Sequence, residues 1–224
     1  MQLDFQAREL TVKLVYYGPA LSGKTTNLQA IHRLLAPEWR GRLMTLETRD
    51  DRTLFFDLLP LTFATSSGLT VRVKLFTVPG QVIHNSTRKL VLQGADGIAF
   101  VADSQTQEIR ANQTSFKDLR RNLRENGLDP AKIPLVIQYN KRDLPNIRSE
   151  EDIRRMAAMG KEPTFLATAT HGAGVTETFL GLVESTWQHL EREHQLKERF
   201  ALDHTEVMID LGKRFGVPAN AARV

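Results

Sequence analysis

The stretch Gly18-Pro19-Ala20-Leu21-Ser22-Gly23-Lys24-Thr25 fits G-x-x-x-x-G-K-[ST] and follows the apolar run 10–17. A strand, a glycine-rich turn and a helix are therefore expected in immediate succession. Each residue type has a physical task there. A loop that wraps its backbone N–H groups around an anion needs glycine for its dihedrals and for close approach. The N-terminus of the following helix adds partial positive charge. The Lys24 ammonium suits the β- and γ-phosphates of a nucleotide, and the Thr25 hydroxyl suits a Mg²⁺ ion held beside them. The phosphate-binding assignment runs through Gly18, Pro19, Ala20, Leu21, Ser22, Gly23, Lys24, Thr25 and Thr26.

Working outward, further apolar runs at 61–65, 70–78, 97–102, 133–139 and 163–167 read as strands. Ser66-Ser67-Gly68 between the second and third of the six runs is a turn signal, so these two strands are expected to form an antiparallel hairpin. Helical spacing fills most other gaps. Leu28, Ile31 and Leu35 share a face, as do Ile109, Phe116, Leu119 and Leu123. Ser149 to Asp152 has the form of a capping box, and 175–200 reads as one long helix. The expected fold is α/β: a mostly parallel six-stranded sheet with one antiparallel hairpin and helices on both faces. Ligands on such sheets sit beyond the carboxyl ends of the strands, so functional motifs should follow strands.

The glycine-rich loop alone chooses neither base nor reaction, and its Gly-Pro-Ala also resembles nucleoside-monophosphate kinases. Asn140-Lys141-Arg142-Asp143, just after the fifth strand, narrows the choice. A carboxylate at Asp143 accepts from the ring N–H and exocyclic amine of guanine. Adenine offers no such pair of donors and would leave the carboxylate unsatisfied. Asn140 suits the acceptor edge of guanine, and the stem of Lys141 can lie along the base plane. After the last strand come Thr168 and Ala169, where the Ala169 N–H can meet the guanine oxygen. The third strand runs into Thr77-Val78-Pro79-Gly80-Gln81. Gly80 can give its N–H to a γ-phosphate, and Gln81 can orient an attacking water. Small GTPases place Asp where Thr77 stands, and a neutral hydroxyl is a poorer partner for a metal-bound water.

With these motifs in place, the chain resembles the MglA-type polarity-switch GTPases of bacteria, members of the Ras-like P-loop GTPases. The likeness spans most of 8–190. It is carried by Val15-Tyr16-Tyr17-Gly18-Pro19, the segment from Asp51 to Asp57, Thr77 to Gln81, Phe100-Val101-Ala102-Asp103-Ser104 and 136–145. The Thr77 exchange belongs to that family's pattern. The resemblance implies that Thr53 meets Mg²⁺ and the γ-phosphate when its loop closes. It also implies that Arg52 is an arginine finger supplied in cis, acting with Gln81 and Lys24 in catalysis. Mg²⁺ would then be held by Thr25 and Thr53, with GTP or GDP as ligand. An MglB-like homodimeric roadblock GTPase-activating protein is the implied partner, and cell polarity and gliding motility the implied process. Ala20 stands where the family usually has glycine. A methyl beside the γ-phosphate crowds Gln81 and the finger, so a GTP-loaded scaffold with little hydrolysis is the alternative to a hydrolysing switch.

The bulk numbers agree with this. With 224 residues, 41% hydrophobic and 25% charged, the chain has room for one good core and an appendage. No cysteine is present, which excludes a disulfide framework, a thiol nucleophile, a zinc–thiolate site and a prenyl anchor. A cytoplasmic location is expected, with any recruitment to cell poles made through partners. The basic clusters at Arg120, Arg121 and Arg124 and at Arg154 and Arg155 lack interleaved aromatics, so they read as solvated helix faces and no nucleic-acid partner is expected. The G domain is assigned to 8–196. Residues 197–224 are expected to form an extension, a short amphipathic helix through Val207, Met208, Leu211 and Phe215 followed by a disordered tail.

Overall fold

The computed structural model describes residues 1–39, 41–46, 56–65, 67–80 and 85–216. Eight strands form one sheet. They are β1 (Gln2–Asp4), β2 (Glu9–Tyr17), β3 (Met44–Leu46), β4 (Phe56–Ala64), β5 (Thr70–Thr77), β6 (Gly97–Asp103), β7 (Leu135–Asn140) and β8 (Thr164–Leu166). Their order is β3-β4-β5-β2-β6-β7-β8, with β1 paired to β2. Strands β5, β2, β6, β7 and β8 are mutually parallel. β4 and β5 form the expected antiparallel hairpin, turning at Gly68 with φ +75°.

Two strands exceed the six that the sequence announces. Each of β1 and β3 has three residues, too few to show an alternating pattern, and long-range pairing with β2 and β4 creates them. β1 is also pinned by an ion pair from the Met1 ammonium to Asp96. β4 starts earlier than its apolar run suggests, at Phe56. β7 starts later than 133, because Pro134 has no N–H to give a ladder.

The helices are α1 (Lys24–Leu34), α2 (Asn85–Leu92), α3 (Ile109–Glu125), α4 (Glu150–Met159), α5 (Val175–His194), α6 (Leu196–Phe200) and α7 (His204–Arg214). Ser149 caps α4 by accepting from the Asp152 N–H at 3.1 Å. The helix expected over 175–200 breaks at Gln195, which takes left-handed dihedrals and ends α5. No Gly or Pro announces that break. Leu10, Val12, Leu14 and Tyr16 of β2 face one core with Leu28 and Ile31 of α1 and Phe179 and Leu182 of α5. Val15 and Tyr17 face the other core with Val91 of α2 and Leu119 and Leu123 of α3. Helices thus cover both faces, and β2 contributes to each in strict alternation. On the first face, Leu196, Leu202, Val207, Met208 and Leu211 join the same core, so the amphipathic stripe of α7 is packed against the body of the protein. Among the described residues no helix is long and apolar enough to cross a membrane.

The second core contains a buried charged network. Arg88 of α2 is 1% exposed and gives Nη1 to Asp118 of α3 at 2.5 Å. Its Nε donates to the Pro79 carbonyl at 2.9 Å, and Nη2 donates to the Gly80 carbonyl. The Tyr17 hydroxyl donates to the same Asp118 oxygen at 2.6 Å, and Arg121 pairs with the other. Removing one partner of such a pair strands a buried charge. Asp118→Ala is therefore expected to lower the unfolding free energy by about 3–5 kcal/mol in urea titration. A loss below about 1 kcal/mol, the worth of an exposed ion pair, would contradict a buried network.

Candidate nucleotide site

All the motifs fall at the carboxyl ends of the parallel strands. The glycine-rich loop follows β2, Pro79 and Gly80 follow β5, Asn140 ends β7, and Thr168 and Ala169 follow β8. A cavity of about 460 Å³ opens there, lined by Lys24, Thr25, Thr26, Asp57, Thr77 and Gly80 among others.

The loop has the backbone that wraps an anion. Gly18, Leu21 and Gly23 have φ of +154°, +60° and +96°. A side chain at Gly18 would meet the Val101 carbonyl at 2.2 Å, and one at Gly23 would meet Asn140 Nδ2 at 2.2 Å, so both positions need glycine. Leu21 turns outward and is 88% exposed, which is costly for an apolar side chain and leaves its backbone to shape the loop. Lys24 is buried and donates to the carbonyls of Pro19 at 2.6 Å and Gly18 at 3.2 Å. Burial, aided by the Arg88 charge and opposed by Asp57, pulls its ammonium down to about 7. A cation held in a poorly solvated pocket by neutral carbonyls is suited to exchange them for an anion.

Beneath the loop lies a buried amide pair that the sequence does not announce. Asn27 of α1 and Gln138 of β7 exchange hydrogen bonds at 2.8 and 2.9 Å. Asn27 also donates to the Gly23 carbonyl, and Gln138 to the Thr178 hydroxyl of α5. Both residues sit within apolar-patterned elements, so periodicity hides them.

The carboxylate next to Thr25 comes from an unexpected strand. Leu58 pairs with Phe76 in the β4–β5 ladder, which sets Asp57 beside Thr77. Buried Asp57 accepts on Oδ2 from Thr25 Oγ1 at 2.6 Å and from Thr77 Oγ1 at 2.9 Å, and on Oδ1 from Thr45 Oγ1 at 2.9 Å. Its own N–H donates to Thr77 Oγ1 at 2.8 Å. Thr77 is thus not a weakened acid but the anchor of one. The sequence assigns Asp57 no role. The signal that points to it is the antiparallel register, since the hairpin partner of a missing acid is the nearest place to supply one.

At the base motif, Asn140 is buried and fully engaged by protein. Its Nδ2 donates to the Ser22 carbonyl at 2.8 Å, and its Oδ1 accepts from the Ala169 N–H at 2.9 Å. The Ala169 N–H expected for a guanine oxygen is thus directed to Asn140, which ties three loops together. Lys141 has φ +64° and pairs with Asp103 at 2.6 Å. Asp143 is exposed and, among the described residues, forms no ion pair; Thr168 is half-buried. On the other side, Gly80 lies directly on Ala20, and a Cβ at Gly80 would come within 2.3 Å of Ala20 Cα. The sequence-assigned Arg52, Thr53 and Gln81 lie outside the described residues.

A parallel sheet whose first strand feeds a Gly–Lys–Thr loop, with an Asn-x-x-Asp loop at the fifth strand of the expected set, defines a Ras-like P-loop protein. No family model matches the chain. It is 47% identical over 190 residues to the mutual gliding-motility protein MglA of Myxococcus xanthus (strain DK1622), a match that covers 85% of this chain and 97% of that protein. The chain belongs to the MglA family of small GTPases.

The two ends of the base motif have different consequences. Asn140→Ala orphans the buried Ala169 N–H and the Ser22 carbonyl, and should cost nucleotide-free protein about 2 kcal/mol or more in chemical unfolding. Asp143→Ala, at an exposed position, should stay within about 0.5 kcal/mol of wild type in the same experiment. Equal losses would mean that the motif is structural at both ends.

Proposed function

We propose that the chain binds GTP and GDP with Mg²⁺, hydrolyses GTP slowly, and changes the conformation of 40–57 and 79–88 as it does so. The observation that carries this reading is the Thr25–Asp57–Thr77 cluster beside Lys24, a buried carboxylate ringed by hydroxyls. Asp57 is 5% exposed. A carboxylate that accepts from three hydroxyls fits a hard divalent cation. Thr25, Asp57 and Thr53 are the residues that would hold Mg²⁺, which when bound neutralises charge on the β- and γ-phosphates. Lys24 leaves the Pro19 and Gly18 carbonyls for the phosphates, and the loop N–H groups from Gly18 to Thr26 complete the cradle. Asp143 selects guanine, with Lys141, Asn140, Thr168 and Ala169 shaping its pocket. Gln81 orients water and Arg52 spreads charge on the transferred group, both acting mainly in the transition state.

The Myxococcus relative is named for gliding motility, and we extend to this chain a role in motility or polarity exercised in the cytoplasm. An MglB-like roadblock partner that closes the Arg52 loop is the corresponding activator. A GTP-loaded scaffold with little hydrolysis is the second reading, because Ala20 packs against Gly80 and its methyl would crowd Gln81 and Arg52 in the transition state.

Single-turnover phosphate release separates the two. Intrinsic turnover is expected at about 10⁻⁴ to 10⁻² s⁻¹, with Arg52→Ala and Gln81→Leu each removing most of any partner-stimulated rate while GTP affinity stays within about threefold. No release above background, with or without partner, selects the scaffold. Asp143→Asn should weaken GTP by about two orders of magnitude and favour xanthine nucleotides. Wild-type GTP affinity in that variant would refute the base assignment. Asp57→Ala should raise the Mg²⁺ concentration needed for half-maximal nucleotide retention by about tenfold or more. An unchanged Mg²⁺ titration would remove Asp57 from the metal site.

A further inference from the structure

We infer that Arg214 of the C-terminal helix α7 is a positioning residue for the nucleotide site, acting through Trp39 and β4 on the Asp57 carboxylate. The inference rests on the nucleotide-switch reading above. It begins with a cation in an unusual place. The Arg214 side chain is 7% exposed, and its guanidinium carbon lies 3.7 Å from the centroid of the Trp39 ring and 5.5 Å from that of Phe63. Asp210, one turn back, accepts from its Nε at 2.7 Å and pairs with its Nη2 at 2.5 Å. Its Nη1 is buried with no hydrogen-bond partner among the described residues. A helix that merely covered apolar surface would put Leu or Met here. A planar cation stacked on an indole face and fixed in plane by a carboxylate is instead a directional contact.

What it touches gives the contact its meaning. Trp39 ends the turn Pro37–Trp39, which follows α1, the helix that begins with Lys24 and Thr25. Phe63 lies on β4, and the two stretches are already joined by the Gly41 N–H to the Pro60 carbonyl at 3.1 Å. Arg214 therefore holds both legs of the segment that leaves α1 and returns as β4. Along β4 the buried residues are Asp57, Leu59, Leu61 and Phe63, every second position and so one face of the strand. Arg214 presses on one end of that row, and the Thr25 hydroxyl holds the carboxylate at the other. A strand laddered to β5 from Leu58 to Ala64, and to β3 at its Asp57 end, transmits a shift along its length better than a loop does. The helix is itself anchored to the body: Val207, Met208 and Leu211 are in the core, and Phe215 packs on Phe179 at 5.5 Å. Losing the stack leaves α7 docked but removes one side of the packing on Phe63, which stays paired with Val71.

The test uses the full chain loaded with a fluorescent GDP in Mg²⁺ and chased with unlabelled GDP. Arg214→Ala should release the label about five- to tenfold faster and need more Mg²⁺ to retain it. Trp39→Ala should do the same, and the double variant should be no faster than either single one, since both break one contact. Arg214→Lys keeps charge and helix but loses the planar stack, so it should accelerate release too and serves if the alanine variant does not fold. Arg199→Ala on α6, whose guanidinium stacks on neighbouring Phe200, controls for disturbance of the C-terminal region and should match wild type. A ligand-free readout accompanies these. Trp39 is 39% exposed and Trp187 2%, so the added acrylamide quenching of Arg214→Ala reports loss of the stack on Trp39. If quenching rises while release stays within twofold of wild type, Arg214 only packs the C-terminal helix and the inference fails alone. Additive effects of Arg214→Ala and Trp39→Ala overturn the shared route. A wild-type protein that retains no labelled GDP overturns the nucleotide reading, and this inference with it.

Discussion

A loop that turns its N–H groups toward an anion must turn its carbonyls into the protein, and buried carbonyls need donors. The glycine-rich loop of this chain meets that demand with three side chains from two elements, α1 and β7. The Gly18 and Pro19 carbonyls take the Lys24 ammonium, the Ser22 carbonyl takes Asn140 of β7, and the Gly23 carbonyl takes Asn27 of α1. Gln138 exchanges hydrogen bonds with Asn27 and donates in turn to the Thr178 hydroxyl, so α5 is drawn in as well. The spacing of α1, β7 and α5 under the loop is fixed by these side chains, because moving any element by more than about 1 Å breaks a buried hydrogen bond. The position of the base motif relative to the phosphate loop follows from the same contacts.

The Thr77–Asp57 pair is a second solution to one electrostatic problem. A carboxylate beside the Thr25 hydroxyl can be placed by β5 or by its antiparallel neighbour, because paired residues stand only about 5 Å apart. Here β4 supplies the acid, and Thr77 uses its one hydroxyl twice, donating to the carboxylate and accepting from the Asp57 N–H. The consequence is a coupling that an acid on β5 would not create. β4 is continuous with the segment on which Thr53 and Arg52 lie, so any displacement of that strand moves the carboxylate too.

This explains what could be read in the sequence. The glycine-rich loop, the base motif and the hairpin are local: each is a run of residues whose own dihedrals or donors dictate the outcome, and each falls where the strand pattern requires. Asp57, Gln138 and Arg88 are not legible, because their meaning depends on partners such as Thr77, Asn27 and Asp118, 20, 111 and 30 residues away in the chain, and on a register that periodicity does not specify. The break at Gln195 was hidden for another reason. The apolar spacing continues through Leu190 to Leu196, and a non-glycine residue carries the left-handed turn. Asn140 is the converse case. The residue type and place were legible, but its hydrogen bonds are spent on the protein's own loops.

The packing around Gly80 bears on what a ligand entering beside it would have to displace. Arg88 holds the Pro79 and Gly80 carbonyls, Asp118 holds Arg88, and the Gly80 backbone rests on Ala20. A ligand shifts a conformation only by the difference in its affinity for the two states. Any group that enters between Ala20 and Gly80 must offset the attraction given up there when the end of β5 moves away. The carbonyls can follow Arg88 only as far as its buried pair with Asp118 allows, since a guanidinium 1% exposed has no solvent to retreat into. Two outcomes are open to such a clamp. Either α2 moves with Gly80 as one piece on the Arg88–Asp118 pair, or the Gly80 peptide turns and presents its N–H while Arg88 keeps Pro79 alone. The second keeps the Arg88–Asp118 pair intact at the cost of the Nη2 hydrogen bond to the Gly80 carbonyl, and the absence of a side chain at Gly80 makes that rotation easy.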